Sequence, residues 1–208
     1  MKSAVLLLRG GVCALLLMAT PLAGQESAHP DPVEPVEGTD YVVYEADGDA
    51  ASFADLLEEL DDAEAVLVGE LHNDMVGHGV QAQLLGAAIR RFGPGAEESR
   101  PVVLSMEMFE RDVQYVVDEY LAGLISEDHF LRSSRPWDDY ENRYRPLVEM
   151  AREAGVPVVA ANAPRRYVNR VTREGPESLA DLSETARSFL PPLPYPGRPS
   201  RIGPSGTR

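Results

Sequence analysis

The middle of the chain shows two kinds of hydrophobic pattern, which follow one another along the sequence. Short continuous apolar runs, typical of strands covered on both faces, stand at residues 65–69, 102–106 and 156–161. Apolar residues recur at helical spacing between and beyond these runs, which predicts helices at residues 52–60, 78–92, 111–123, 144–154 and 164–174. Strands that alternate with helices indicate an α/β fold, a parallel sheet with flanking helices built from βαβ units.

Local signals mark the ends of several of these helices. Ser52 is followed three residues later by Asp55, which resembles a capping box with Asp in the usual place of Glu. Pro146 stands in the first turn of the predicted helix at 144–154, and Gly155 closes it. Before the first helix, residues 41–44 form a short β-prone run.

The two ends of the chain have a different composition from the middle. Residues 1–24 combine Lys2 and Arg9 with a short apolar core and small residues, which predicts a secretory signal peptide. No cysteine follows the small residues, since Cys13 lies inside the apolar core, and this argues against a lipid anchor and leaves membrane attachment doubtful. We therefore expect export across the inner membrane, to the periplasm or the periphery of the outer membrane.

Three further segments follow the predicted signal. Residues 25–38 are acidic and rich in proline, which predicts a disordered, solvated leader. Residues 39–196 form the predicted α/β domain. Residues 197–208 are rich in Pro, Gly and Arg and predict a disordered tail, so we expect the domain to be truncated at its C-terminal end.

The charge of the chain excludes one class of function. The formal net charge is −15 and Lys2 is the one lysine in the sequence, so nucleic-acid binding is not expected. A single cysteine also excludes an internal disulfide framework and a zinc site built from cysteines.

Polar side chains follow each of the three predicted strands. Glu70 and His72 follow the first strand, Glu107 the second and Asn162 the third. Ligand crevices of open α/β sheets lie outside the carboxyl ends of the strands, so these side chains are predicted to converge. Glu70 and His72 stand two residues apart, on one side of an extended chain, where they can share a metal or a proton or orient a water. The alternative is that they only bond loop backbone groups.

The aromatic residues concentrate between positions 135 and 146. Trp137, Tyr140 and Tyr144 alternate there with arginines, a combination that suits a planar ligand carrying carboxylates. Tyrosinate is also an iron ligand in haem proteins. The alternative is that Trp137 and Tyr140 cover the sheet edge and pack a helix. His78, near a helix N-terminus, is a further candidate for the same crevice, and the alternative is that it is a surface histidine.

Several blocks of the sequence resemble the ChaN-like, haem-binding uptake family, which belongs to a wider group with the Tiki and TraB proteins and the erythromycin esterases. These blocks occur in the order of the family and are residues 66–72, 103–112, 137–140, 144–148 and 158–165. The resemblance implies an exported bacterial haem-binding protein associated with iron uptake, able to form a homodimer in which two haems stack face to face. Haem is thus the implied cofactor and partner.

The resemblance leaves the residue roles open. The residues expected to line the haem site are Glu70, His72, His78, Glu107, Trp137, Tyr140, Tyr144, Asn162 and Arg165, with Arg165 or Arg166 meeting the propionates. The candidates for the iron ligand are Tyr140, Tyr144, His72 and His78. The wider group includes hydrolases that use a Gly-x-x-His element, which maps onto Gly69, Glu70 and His72, with Glu107 as a second acid.

Two functions therefore follow from the sequence. We favour the binding protein, because no HExxH motif, serine nucleophile elbow or other hydrolase spacing is present. The alternative is a hydrolase that uses a divalent metal ion, with Glu70 and His72 activating a water and Glu107 as their partner.

Overall fold

A computed structural model describes residues 33–192. The predicted signal peptide, the first part of the predicted leader and the predicted tail at 197–208 lie outside this range. The elements, in chain order, are β1 (Val43–Tyr44), β2 (Ala50–Ala51), α1 (Phe53–Glu58), α2 (Met75–Phe92), β3 (Leu104–Glu110), a 3₁₀ turn (Arg111–Val113), α3 (Gln114–Leu121), α4 (Glu127–Ser134), α5 (Tyr140–Arg143), α6 (Arg145–Ala154), β4 (Val158–Asn162), α7 (Arg165–Glu174), a second 3₁₀ turn (Pro176–Asp181) and α8 (Glu184–Ser188).

The parallel sheet predicted from the sequence consists of β3 and β4. The two strands pair in parallel from Leu104 opposite Val158, with an irregularity between Met106 and Glu110. Helices α3 to α6 connect them, so this part of the chain is one βαβ unit with flanking helices, compatible with an α/β fold. Strands β1 and β2 form a separate antiparallel pair.

One face of the sheet carries the main hydrophobic core. Met106, Met108, Val158 and Ala160 are buried on this face against side chains of α3, α4 and α6. On the opposite face of β3, Ser105 and Glu107 are exposed. A smaller cluster of Leu60, Leu84 and Phe92 joins the end of the α1 region to α2.

The capping signals are confirmed. Ser52 accepts a hydrogen bond from the Asp55 backbone, and the Asp55 carboxylate accepts one from the Ser52 backbone N–H at 2.8 Å, so the capping box is complete. Gly155 ends α6 with φ of 67°, the left-handed conformation that glycine adopts without a Cβ clash.

The predicted strand at residues 65–69 is wrong. These residues lie in neither helix nor strand, and Val66, Leu67 and Val68 are exposed, Leu67 at 96%. An apolar run suits a covered strand, but a strand forms only where a neighbouring backbone supplies hydrogen bonds, and neither β3 nor β4 pairs with this run.

The start of the folded region also differs from the prediction. Residues 33–38 belong to the predicted solvated leader, yet Pro35 is buried. Its contacts with α2 are described in the last part of the Results. None of the helices within residues 33–192 combines the length and the apolar character that crossing a membrane requires.

Candidate functional site

The candidate site lies where the loop before α2 meets α2 and the start of α6. The loop carries Glu70 and His72, and its end is fixed by Asp74, which caps α2 by accepting a hydrogen bond from the Val76 backbone N–H at 3.0 Å. Helix α2 starts at Met75, three residues before the predicted start, and places His78 in its first turns.

Glu70 is the centre of the site. Its Oε1 accepts hydrogen bonds from Nδ1 of His72 at 2.7 Å and from the hydroxyl of Tyr144 at 2.9 Å, and its Oε2 accepts one from Nε2 of Gln81 at 3.0 Å. Burial acts to raise the pKa of Glu70, but these three hydrogen bonds and the neighbouring imidazole of His78 outweigh it and lower the pKa below its usual value of 4.5. The carboxyl group is therefore ionised at neutral pH.

This network determines the tautomer of His72. An ionised carboxylate only accepts hydrogen bonds, so Nδ1 of His72 carries the proton. In a neutral imidazole the lone pair then lies on Nε2, which has no hydrogen bond within residues 33–192. The side chain is 57% exposed, so this lone pair is open to a ligand. A carboxylate that orients a histidine in this way is the usual second partner of a metal-binding histidine.

His78 contacts the site from its buried side. It is 4% exposed, and its Nε2 lies 3.2 Å from the backbone carbonyl oxygen of His72, to which it donates. Its Nδ1 lies 3.7 Å from Oε2 of Glu70 and has no hydrogen bond among the described residues. Its ring meets the ring of Tyr144 edge to face at 5.2 Å. His78 therefore contacts both residues of the Glu70–His72 pair.

An aromatic ring contacts the exposed side chain of His72. The ring of Trp137 contacts the ring of His72 edge to face, with 4.9 Å between centroids. Leu67 and Leu71 belong to the loop that carries Glu70 and are 96% and 74% exposed. An imidazole nitrogen beside Trp137 thus lies on a loop that presents further apolar side chains to solvent.

The four candidates for an iron ligand differ in accessibility. Tyr140, Tyr144 and His78 are buried, whereas His72 is exposed. Tyr140 packs against the rings of Phe109 and Phe130, and burial raises its pKa. Burial and the hydrogen bond to Glu70 also raise the pKa of Tyr144. Forming tyrosinate at either position is therefore unfavourable in this arrangement, and His72 is the exposed residue among the four candidates.

Two of the other predicted site residues, Asn162 and Arg165, lie at the carboxyl end of β4, whereas Glu107 lies within β3 and does not follow it as predicted. Glu107 is exposed on β3, and its charge adds to the rise in the pKa of Tyr144. Asn162 stands opposite Glu110 in the parallel pair, and Arg165 is the exposed first residue of α7. No hydrogen bond or ion pair within residues 33–192 joins Asn162 or Arg165 to Glu70.

The sequence analysis missed two features of this region. Gln81 stands three residues after His78 on the same helix face, a spacing that could have indicated a second partner for Glu70. Asp112 binds both Arg135, at 2.9 Å, and Arg166, which is thereby engaged by a carboxylate. Arg135 adopts a left-handed conformation with φ of 51°, and nothing in the local sequence indicates this.

The described part of the chain holds no group of three or more His, Cys, Asp or Glu side chains arranged to bind a metal ion.

Comparison with known families gives one match. Residues 56–202 match the model of a family described as haem-binding uptake, Tiki superfamily, ChaN. This range contains the whole candidate site. No curated protein and no solved structure matches the chain.

Proposed function

Because the chain belongs to the haem-binding uptake family of the Tiki superfamily that includes ChaN, we propose that it is an exported haem-binding protein that takes part in bacterial iron uptake. The observation that assigns haem binding to this site is the protonation and exposure of the His72 imidazole. Its proton is held on Nδ1 by Glu70, and its Nε2 is exposed and without a hydrogen bond in the described range. Neutral imidazole with a free nitrogen is the form that binds haem iron.

The residues around His72 fit such a ligand. Haem is a planar, largely apolar group with two carboxylates, and Trp137 supplies apolar surface next to the imidazole of His72, while Leu67 and Leu71 are exposed on the loop that carries Glu70. Arg165 is exposed and has no ion pair within residues 33–192, so it is available to a propionate, whereas Arg166 is held by Asp112. When bound, haem would supply the iron chemistry, and His72 would supply an imidazole nitrogen whose orientation is held by Glu70.

The homodimer remains part of the proposal. Leu67 and Leu71 are exposed, and a second copy that covers them would bury apolar area and enclose the haem. The hydrolase gains no support from the site. Oε1 of Glu70 accepts two hydrogen bonds and Oε2 accepts a third, so most of the acceptor capacity of the carboxylate is used to hold side chains.

A haem titration tests the assignment. We expect the purified protein to give a saturable shift of the Soret band, and H72A to weaken haem binding at least about tenfold, because it removes the axial nitrogen. H129A is the matched control, since His129 is exposed on α4 and its side chain has no hydrogen-bond partner within residues 33–192 other than Ser126. If the wild type shows no saturable shift of the Soret band, haem binding is refuted. If H72A and H129A bind haem with equal affinity, the role of His72 as iron ligand is refuted.

Export is tested separately. We expect a tagged chain to be recovered from the periplasmic fraction at the mass that corresponds to loss of residues 1–24. Recovery of the unprocessed chain from the cytoplasm refutes that part of the proposal.

A further inference from the structure

Residues 33–37 lie against α2 at Gly79, and we call this segment the N-terminal strap. A Cβ atom on Gly79 would stand 2.5 Å from Cδ of Pro35 and 2.6 Å from the carbonyl oxygen of Val33. Contacts this short are not tolerated, so the strap approaches the helix as closely as a glycine permits. This approach explains a glycine in the interior of a helix, where it is otherwise unfavourable.

Two hydrogen bonds hold the strap to two different helices. Nε2 of Gln83, one turn after Gly79 on α2, donates to the carbonyl oxygen of Pro35 at 2.9 Å. Oε1 of Glu37 accepts from the backbone N–H of Phe53, the first residue of α1, at 3.0 Å. Glu37 thus satisfies one of the free N–H groups at the start of α1 while Pro35 is fixed on α2.

The strap also borders the inner side of the candidate site. Val33 and His78 line the same small cavity, whose volume is about 10 Å³, room for one water at most. His78 follows Gly77 and precedes Gly79, and it contacts the backbone of His72 and the carboxylate of Glu70. Displacing the strap would therefore open the space beside the residue that supports both members of the Glu70–His72 pair.

We propose that the N-terminal strap is a positioning element of the site: docking of residues 33–37 on α2 holds His78, and through it the imidazole of His72, in the orientation that exposes Nε2. Its role in ligand binding rests on the proposed function, but its effect on the two histidines does not. Residues 33–37, which composition assigns to a solvated leader, then belong to the folded domain and position the two histidines.

The test compares pairs of variants of the 208-residue chain without haem. E37A removes the acceptor of the Phe53 N–H, E37Q keeps an oxygen in its place, and E34A changes an exposed strap residue without a hydrogen bond or ion pair in the described range. Q83A removes the donor to Pro35. We expect amide hydrogen exchange across residues 33–41 to accelerate about threefold to tenfold in E37A and Q83A, the factor that one lost hydrogen bond corresponds to.

The decisive measurement is the nitrogen NMR spectrum of the histidine rings, which reports the tautomer of each imidazole. We expect the ring signals of His72 and His78 to move in E37A and Q83A, with His72 losing part of its Nδ1–H form. They should stay at the wild-type positions in E37Q and E34A. His129 is the internal reference, because it lies on α4 and contacts neither the strap nor Glu70.

A second pair of variants disrupts the contact itself. G79A places a methyl group into Pro35, whereas G86A, on the same helix, meets only the flexible ends of Arg90 and Met150 at 3.3 Å or more. We expect G79A to move the His72 and His78 signals and G86A to leave them in place. If G79A does not fold, the E37A and E37Q pair decides.

Two results would overturn the proposal. One is fast exchange of residues 33–41 in the wild type. The other is faster exchange in E37A and Q83A while the ring signals of His72 and His78 stay unchanged, since the strap would then be attached without positioning the site. A wild-type protein that fails to bind haem refutes the proposed function and leaves these measurements valid.

Discussion

Replacing Tyr144 with Phe removes the hydroxyl that ties Glu70 to the core and leaves the ring in place. The hydroxyl donates to Oε1 of Glu70 at 2.9 Å, and Tyr144 is 1% exposed. A hydrogen bond to a charged group contributes about 1.5–3 kcal/mol. Glu70 keeps its bonds from His72 and Gln81, so we expect the lower part of that range, a loss of about 1.5–2 kcal/mol in the free energy of unfolding.

The assay is urea unfolding at pH 7, followed by circular dichroism and by the fluorescence of Trp137, the one tryptophan of the chain. A loss of this size corresponds to a fall in Tm of about 3–8 °C for a domain of this length. The control is Y115F, because Tyr115 is 65% exposed on α3 and its hydroxyl has no hydrogen bond within residues 33–192. Equal stabilities of Y144F and Y115F, within about 0.5 kcal/mol, would refute the role given to this bond.

The loss of stability in Y144F is also expected to depend on pH. The pKa of Glu70 in the folded chain lies below its usual value of 4.5, so ionised Glu70 stabilises the fold. That contribution is complete above pH 4.5 and is lost as the pH falls through the lower pKa of the folded chain. Y144F removes one cause of the lowered pKa, so its stability gap to the wild type should narrow as the pH falls below 4.5. A gap that stays constant down to pH 3 would contradict this account.

Three further substitutions test the framework that carries the site. S52A removes the side-chain half of the capping box and should lower the free energy of unfolding by about 1 kcal/mol in urea unfolding. G155A places a Cβ in a left-handed residue that has open space around it, so backbone strain alone should cost about 1–2 kcal/mol, measured in the same way. F130A empties a fully buried position that stacks on Tyr120, and we expect a loss of about 3–5 kcal/mol, seen as a large fall in Tm.

Each of these three substitutions has a control variant. S188A removes an exposed hydroxyl that caps no N-terminus, and a loss equal to that of S52A would contradict the cap. G155N should recover part of the loss of G155A, because Asn enters the left-handed region more easily than Ala. F130L fills most of the volume, and a loss as large as that of F130A would point to strain and not to the cavity.

Local signals predicted α1, α2, α3, α6 and α7, because each signal depends on neighbours in the chain, whereas α4, α5 and α8 were not predicted. The capping box at Ser52, the glycine at 155 and the periodic apolar faces of α2 and α6 are satisfied within a few residues, and all appear in the structure. The apolar run at 65–69 shows the limit of such signals. Its composition is that of a covered strand, but backbone pairing is a property of two segments, and the run has no paired strand within residues 33–192.

The candidate site also has one part that the sequence predicted and another that depends on helix packing. The sequence alone placed Glu70 beside His72, because residues two apart on an extended chain point to one side, and the two are bonded at 2.7 Å. Tyr144, Gln81 and His78 come from α2 and the start of α6, and their approach to Glu70 depends on how these helices pack. Only that packing decides which nitrogen of His72 carries the proton.

The sequence by itself determined the family, the existence of five of the helices and the neighbouring positions of Glu70 and His72, because these depend on residue identity and short-range spacing. The tertiary structure decided that three of the four candidate iron ligands are buried, that His72 is open, and that residues 33–37 close on Gly79. The physical reason is that accessibility and protonation depend on what surrounds a side chain. Those surroundings are assembled from segments as far apart as Pro35 and Gln83 or Glu70 and Tyr144.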